Sequence, residues 1–176
     1  MRKIKCTIGT LSKAIEEIEK YQKELDKKNK TFMERLAKIG IDQSEMRFRQ
    51  AIYDGTNDVV VNKTPVWIGK NKLAISASGK SITFIEFGAG IHYAGESHPK
   101  ASEFGFERGG YGHHLGRLDK WRYEGDPGTN GKKITEGDHK GEIETHGNPA
   151  NRVLYETAKE MRDKIAKIAE EVFGND

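Results

Sequence analysis

LSKAIEEIEKYQKELDKKNKTFMERLAKIG, residues 11–40, sets the fold class. Within it Leu11, Ile15, Ile18, Leu25, Phe32, Leu36 and Ile39 recur at spacings of three, four and seven. With 3.6 residues per turn, that spacing gathers side chains into one stripe along an α-helix. The other faces are almost all charge. Glu16 and Lys20, Glu19 and Lys23, Glu24 and Lys28, and Glu34 and Lys38 are i,i+4 pairs with the acid N-terminal to the base, each adding roughly 0.2 to 0.5 kcal/mol. Gly40 predicts a left-handed stop, with Ile41 making the accompanying hydrophobic contact. Such a helix is roughly 42 Å long at 1.5 Å per residue. That exceeds what one small domain needs to cover its sheet, so part of the stripe is expected to face another subunit.

Outward from this helix the periods change. Ile4, Cys6 and Ile8 alternate with Lys3, Lys5 and Thr7 before Gly9, which predicts a half-buried first strand. Asp42 and Glu45 have capping-box spacing and predict a short helix carrying Met46, Ala51, Ile52 and Tyr53 to the Asp54-Gly55 turn. Val59–Val61, Val66–Ile68, Leu73–Ala77 and Ile82–Phe87 are β-rich runs separated by turn residues, and their short spacings allow only hairpin connections, an antiparallel meander. Residues 88–147 hold 14 of the 20 glycines and all six histidines with no sustained period. A patternless stretch of that length far exceeds the ~12 to 15 residues of ordinary loops. Its Tyr93, Phe104, Phe106, Tyr111, Leu115, Leu118, Trp121 and Tyr123 are too many large apolar groups for a solvated linker, so it is read as a loop that packs on something, functional, disordered alone or ordered by a partner. Asn148 as N-cap and Pro149 in the first turn open a last helix, whose face of Val153, Leu154, Ala158, Met161, Ile165, Ile168, Ala169 and Val172 runs to Gly174. The fold class is therefore α+β: an antiparallel sheet flanked by a long N-terminal and a C-terminal helix, with a long Gly-rich loop. One domain spans 1–176, organised as 1–57 (strand and helices), 58–88 (strands), 89–147 (assembly loop) and 148–174 (C-terminal helix). Each helix has one apolar face to bury, so both are expected to pack on the sheet.

Composition narrows the function. In 176 residues, 30 Lys+Arg stand against 27 Asp+Glu, a net charge of +3, which argues against a strongly basic nucleic-acid binder. No run approaches the ~18 apolar residues of a membrane span, and the start lacks the apolar core of a signal peptide, so synthesis in the cytoplasm is expected. The single cysteine, Cys6, makes neither an internal disulfide nor a thiolate zinc site and is read as a small core hydrophobe. His92, His98, His113, His114, His139 and His146, with Glu96, Asp119 and Asp138, include no His-x-x-x-His and no two-His-one-carboxylate spacing, so no metal site is expected. Gly105–Gly116 lacks both nucleotide fingerprints, and no Gly-x-Ser-x-Gly elbow occurs. No catalytic residue or cofactor is assigned. Trp121, Arg122 and Tyr123 have the chemistry of base stacking, but residues 98–140 balance eight Lys/Arg against seven Asp/Glu. They are read instead as anchors of a protein contact, together with Tyr93 and Tyr111. Glu86 continues the face of Ile82 and Phe84 on an expected strand, which makes it either buried and paired or placed at the sheet edge, and it is read as ion-paired to an Arg or Lys near the strand end rather than as a catalytic acid. Gly88 and Gly90 are expected at positive φ where the chain leaves that strand.

Three blocks in order, Tyr53-Asp54-Gly55-Thr56-Asn57-Asp58-Val59, Ser78-Gly79-Lys80-Ser81-Ile82-Thr83-Phe84-Ile85-Glu86-Phe87-Gly88-Ala89-Gly90, and Thr145-His146-Gly147-Asn148-Pro149-Ala150 followed by Leu154-Tyr155 and Ala158, resemble the tail-completion or head-tail joining (minor tail, neck) proteins of long-tailed bacteriophages. The resemblance spans nearly the whole chain and is carried most by Glu86, Phe87, Gly88, Gly90, Asn148, Pro149 and Tyr155. Family members usually place Pro-Met or Pro-Phe before the tyrosine, where this chain has Arg152-Val153-Leu154. The resemblance implies a virion structural protein without an active site, made in the host bacterial cytoplasm, that forms a closed ring at the neck or tail top. A hexamer is favoured over a dodecamer. The implied partners are the tail tube or tail terminator and the head connector, with no sequence-specific nucleic acid and no membrane. Residues 91–146 are then expected to be an assembly element, poorly ordered in the free subunit and ordered by neighbours. The alternatives are a metal-dependent hydrolase using the loop histidines and a phage DNA-binding protein.

Overall fold

The computed structural model describes residues 8–91, 93, 98–106, 110–111, 114–115 and 119–174. Its first element, α1, is a single helix of 42 residues, Ile8–Arg49. Gly40 does not end it. Placed mid-helix, Gly40 lets two elements approach: a Cβ there would stand 2.6 Å from Met161 Sδ and 2.7 Å from Ile75 Cδ1. A glycine inside a helix costs only about 1 kcal/mol, and burial of Ala37, Ile41, Ser44 and Phe48 on the same side outweighs it. Asp42 and Glu45 are accordingly interior positions rather than a cap, and Glu45 pairs with Arg49 at 2.6 Å and with Lys63. The expected first strand lies outside the described residues except for Ile8, which opens α1; Cys6 lies outside them too.

The chain next forms one long hairpin instead of a meander. β1 (Val60–Val61) pairs antiparallel with β4 (Ala77–Ser78), and β2 (Val66–Trp67) with β3 (Leu73–Ala74). Asn62 N–H donates to Ser76 O at 2.8 Å, so beyond that pair three residues, 63–65, stand opposite Ile75 alone and the register shifts by two. Pro65, which has no N–H for a ladder, sits in this bulge.

Ile82–Phe87, read as a fourth strand, is a six-residue helix, α2. Over so few residues β-branched and aromatic content cannot decide between strand and buried helix. The turn into it is held by Asp58, whose carboxylate accepts Lys80 N–H at 2.8 Å, Ser81 N–H at 2.9 Å and Ser81 Oγ–H at 2.5 Å. These bonds anchor the two residues that precede α2 and fix its approach. Ile85, fully buried, and Glu86 then face inward.

Residues 88–147 are not patternless where they are described. A 3₁₀ turn at Ser102–Phe104 is followed by β5 (Gly110–Tyr111), paired with β6 (His114–Leu115). β7 (Trp121–Tyr123), β8 (Lys132–Lys133) and β9 (Ile143–Thr145) form an antiparallel sheet with β9 central, its Ile143 and Thr145 buried. Strands of two or three residues are too short to show a period, which is why the sequence reads as loop.

The last helix, α3, is Val153–Phe173 and starts four residues after Pro149. Asn148 is not its N-cap. It is buried in a bridge to Ala89, with Nδ2 donating to Phe84 O at 2.9 Å, while Pro149 O accepts from Asn148 and Asn151. The core of Ile41, Phe48, Val61, Ile85 and Val153 joins α1, the hairpin, α2 and α3. The α+β class stands, but the layering differs from the expectation: α1 meets both α3 and the hairpin on one face, at Gly40, and α3 packs chiefly on α1 and α2. Four two-residue strands offer too little area to cover two helix faces.

Candidate functional site

Two of the expected anchors meet in a hollow. Residues two apart on a strand share a face, so Trp121 and Tyr123 of β7 point together, while Arg122 points away toward Glu144, its Nε 3.8 Å from the carboxylate. The hollow they line has a volume of about 560 Å³. Tyr53 and Phe84 add two more aromatic rings, and Asp54, Glu124 and Asp126 add three carboxylates. Among the described residues that line it there is no Lys, Arg or His.

Hydrogen bonds hold these walls in place. Tyr53 O accepts Thr129 N–H at 2.9 Å, and Tyr53 N–H donates to Thr129 Oγ at 3.2 Å. Asp54 accepts Asn130 N–H at 2.8 Å on one oxygen and Thr145 Oγ–H at 2.5 Å on the other. The Tyr123 hydroxyl donates to Asp126 O at 2.8 Å. Gly128, at φ +59°, is required by closeness, because a Cβ there would run into the backbone of Tyr53 and Gly55. Burial pushes the Tyr123 phenol up to about 12, with the charge of Asp54 and then Tyr53 and Asp126 adding to it. Tyr53 is raised in the same sense, by burial first and by Asp58 and Asp54 after it. The rim holds Gly90 at φ +90°, where a Cβ would stand 2.5 Å from His146 O and 3.2 Å from the Trp121 ring. Gly88, at φ +80°, faces the backbone of Ala150 in the same way.

Glu86 organises the other side of α2. Its carboxylate accepts Leu154 N–H at 2.7 Å and Tyr155 N–H at 2.9 Å, occupying two of the donors that the start of α3 leaves unpaired. Its Oε1 also lies 3.0 Å from His98 Nε2, with both side chains buried. Lys100 N–H donates to His98 Nδ1 at 3.0 Å, so Nε2 carries the proton given to Glu86. Phe87 meets the imidazole edge-on at 4.6 Å, and Phe106 stacks on Phe87 at 4.8 Å. The Arg or Lys partner expected for Glu86 is thus replaced by a histidine and two backbone amides. Neutral and backbone donors satisfy the carboxylate without desolvating a second full charge. A second hollow of about 490 Å³ opens beside this cluster, with Lys159 and Arg162 at its edge. With both oxygens committed, Glu86 serves as a clamp between α2 and α3.

The remaining expected residues scatter. Tyr93 is half-buried in a turn. Tyr111, His114 and Leu115 belong to β5 and β6, their side chains outside the described residues, as are His92, Glu96, His113 and Leu118. Tyr155 packs edge-on against His98, with ring centres 5.2 Å apart. His139 pairs with Glu142 at 3.0 Å and His146 with Asp119 at 3.6 Å, both on the surface. Among the described residues no three potential metal ligands cluster. Sequence reasoning missed His98 as the partner of Glu86, and Tyr53 and Asp54 as walls of the hollow. The Asp-Gly dipeptide marked only a turn, and nothing in the spacing pointed to His98. No family model, curated protein or solved structure matches the chain.

Proposed function

We propose that the chain is a structural subunit of a phage neck or tail top, which works by binding neighbours in a closed ring rather than by catalysis. The observation that carries this reading is the free half of α1. The end of α3 meets α1 where Phe173 packs on Phe32, 5.8 Å between ring centres, and where Glu171 pairs with Arg35. N-terminal to that point α1 runs on with Leu11, Ile15, Ile18 and Leu25 exposed by 55%, 49%, 61% and 42%. Fully burying an aliphatic side chain is worth roughly 1.5 to 3 kcal/mol, so this stripe is a ready surface for another polypeptide. Head-to-tail contacts between identical subunits either close into a ring or run on as a filament, and a tail-end component has to close. The resemblance in the Tyr53–Val59, Ser78–Gly90 and Thr145–Ala158 blocks supports the same assignment, including six copies over twelve and the tail tube or terminator and the head connector as neighbours. The test is a reconstruction of the neck in particles whose copy of this chain carries a small tag. Tag density in a closed ring is the expected result, and absence of the chain from the particle overturns the proposal.

A further inference from the structure

The geometry of the Trp121 hollow points to a second property: we propose that it is a receptor for a cationic side chain, an arginine presented by a partner polypeptide. The protein as a whole is slightly basic, yet this cavity combines four aromatic residues with three carboxylates and, among the described residues, no Lys, Arg or His. Asp54 is fixed by two uncharged donors, and Asp126 Oδ1 accepts only a backbone amide, Gly128 N–H at 2.8 Å. Among the described residues no Lys, Arg or His pairs with Asp54, Glu124 or Asp126, and while Asp54 has both oxygens in hydrogen bonds, Glu124 and Asp126 are exposed at the cavity. Three of the aromatic residues lie beside glycines at positive φ: Trp121 beside Gly90, Tyr53 beside Gly55 and Tyr123 beside Gly125. A Cβ would press on the ring at Gly90 (3.2 Å from Trp121) and Gly55 (3.3 Å from Tyr53), and at Gly125 it would only touch Tyr123.

Aromatic faces carry negative quadrupole charge and attract cations, and a planar guanidinium both stacks on a ring and offers several N–H donors to carboxylates. Lysine supplies the charge without the stacking plane, and a neutral sugar supplies the stacking without the charge. The walls are held by the bonds between Tyr53–Asp54 and Thr129–Asn130 before any ligand arrives, which limits the ordering cost of binding. The site is separate from the free half of α1, so its failure would leave the ring proposal standing.

The test uses indole fluorescence in the full chain. Trp67→Phe leaves Trp121 as the reporter, since the chain has two tryptophans. The probes are N-acetyl-arginine methylamide, the matching citrulline derivative as a neutral isostere, the lysine derivative and maltotriose. Saturable quenching by the arginine derivative is expected, roughly tenfold weaker with citrulline and weakened by added salt. The exposed pair Glu124→Gln and Asp126→Asn should reduce the arginine affinity by roughly tenfold or more while leaving the thermal transition in place. If that variant unfolds, the indole N–H resonance of Trp121 in the otherwise unaltered protein gives the same comparison among probes. No saturable response to the arginine derivative overturns the proposal, as does an equal response to citrulline. Preference for maltotriose overturns it in favour of a sugar, and preference for the lysine derivative overturns the guanidinium assignment.

Discussion

Glu86 joins segments far apart in sequence: its backbone carbonyl accepts Arg152 N–H, and its carboxylate binds Leu154, Tyr155 and His98. Glu86→Ala leaves two helix-start amides and a buried imidazole N–H without a partner, so a loss of about 3 kcal/mol is expected in urea unfolding. Gly88 and Gly90 have the positive φ that their place after the Ile82–Phe87 run implied, although the run is a helix. Gly88→Val should destabilise by about 1 to 3 kcal/mol, because it adds an unfavourable left-handed conformation to a clash with Ala150 N; a thermal melt reads it. Asp58 carries a pH dependence. Its three hydrogen bonds hold the carboxyl at about 2, below the ordinary 3.8, with the Ser81 hydroxyl the largest cause. A lowered folded-state value contributes stability that is present above about pH 4 and is lost as pH falls toward 2. Asp58→Asn should therefore lower the melting midpoint at pH 7, and its deficit should close through that window.

At the scale of elements, α1 divides into halves with different physics. Residues 36–48 bury Leu36, Ala37, Ile41, Ser44 and Phe48 against the rest of the fold, whereas at 11–27 all but half-buried Ala14 are exposed. An unsupported helix of that length is marginal in water. In hydrogen exchange on the subunit at low concentration, the amides of 11–27 should exchange orders of magnitude faster than those of 36–48 and gain protection on assembly. Equal protection in the dilute subunit would remove the case for a partner on this face. Gly40 sets the spacing between α1 and α3. Gly40→Val should cost about 1 to 3 kcal/mol by overpacking against Met161 and Ile75, measured by chemical denaturation. α2 shows why elements are harder to read than residues. Six residues rich in β-branched and aromatic side chains form a helix whose entry is anchored, through Lys80 and Ser81, by Asp58 more than twenty residues earlier.

For the whole molecule, a body built on α3, α2, the hairpin and the β7–β9–β8 sheet carries the free end of α1. Removing the chain up to residue 27 should leave the thermal transition within a few degrees of the intact chain, since of residues 11–27 only Ala14 is even half-buried, and should abolish assembly in light scattering. The sequence by itself determined what repeats or is chemically singular. The charged α1 with its long stripe and the amphipathic face of α3 announce themselves over many turns, and the glycines at 88 and 90 have few other uses at such positions. Only tertiary structure decided what rests on few residues or on distant pairing. It carried α1 through Gly40, because burial against Met161 and Ile75 outweighs a weak local stop signal. It bent Ile82–Phe87 into a helix, made Asn148 a bridge instead of a cap, and gave Glu86 a histidine found twelve residues on. It also brought Tyr53 and Asp54 beside Trp121 and Tyr123, close to seventy residues apart in the chain. A local pattern cannot encode such a meeting, since the free energy that fixes it comes from hydrogen bonds and burial formed only when the segments are already together.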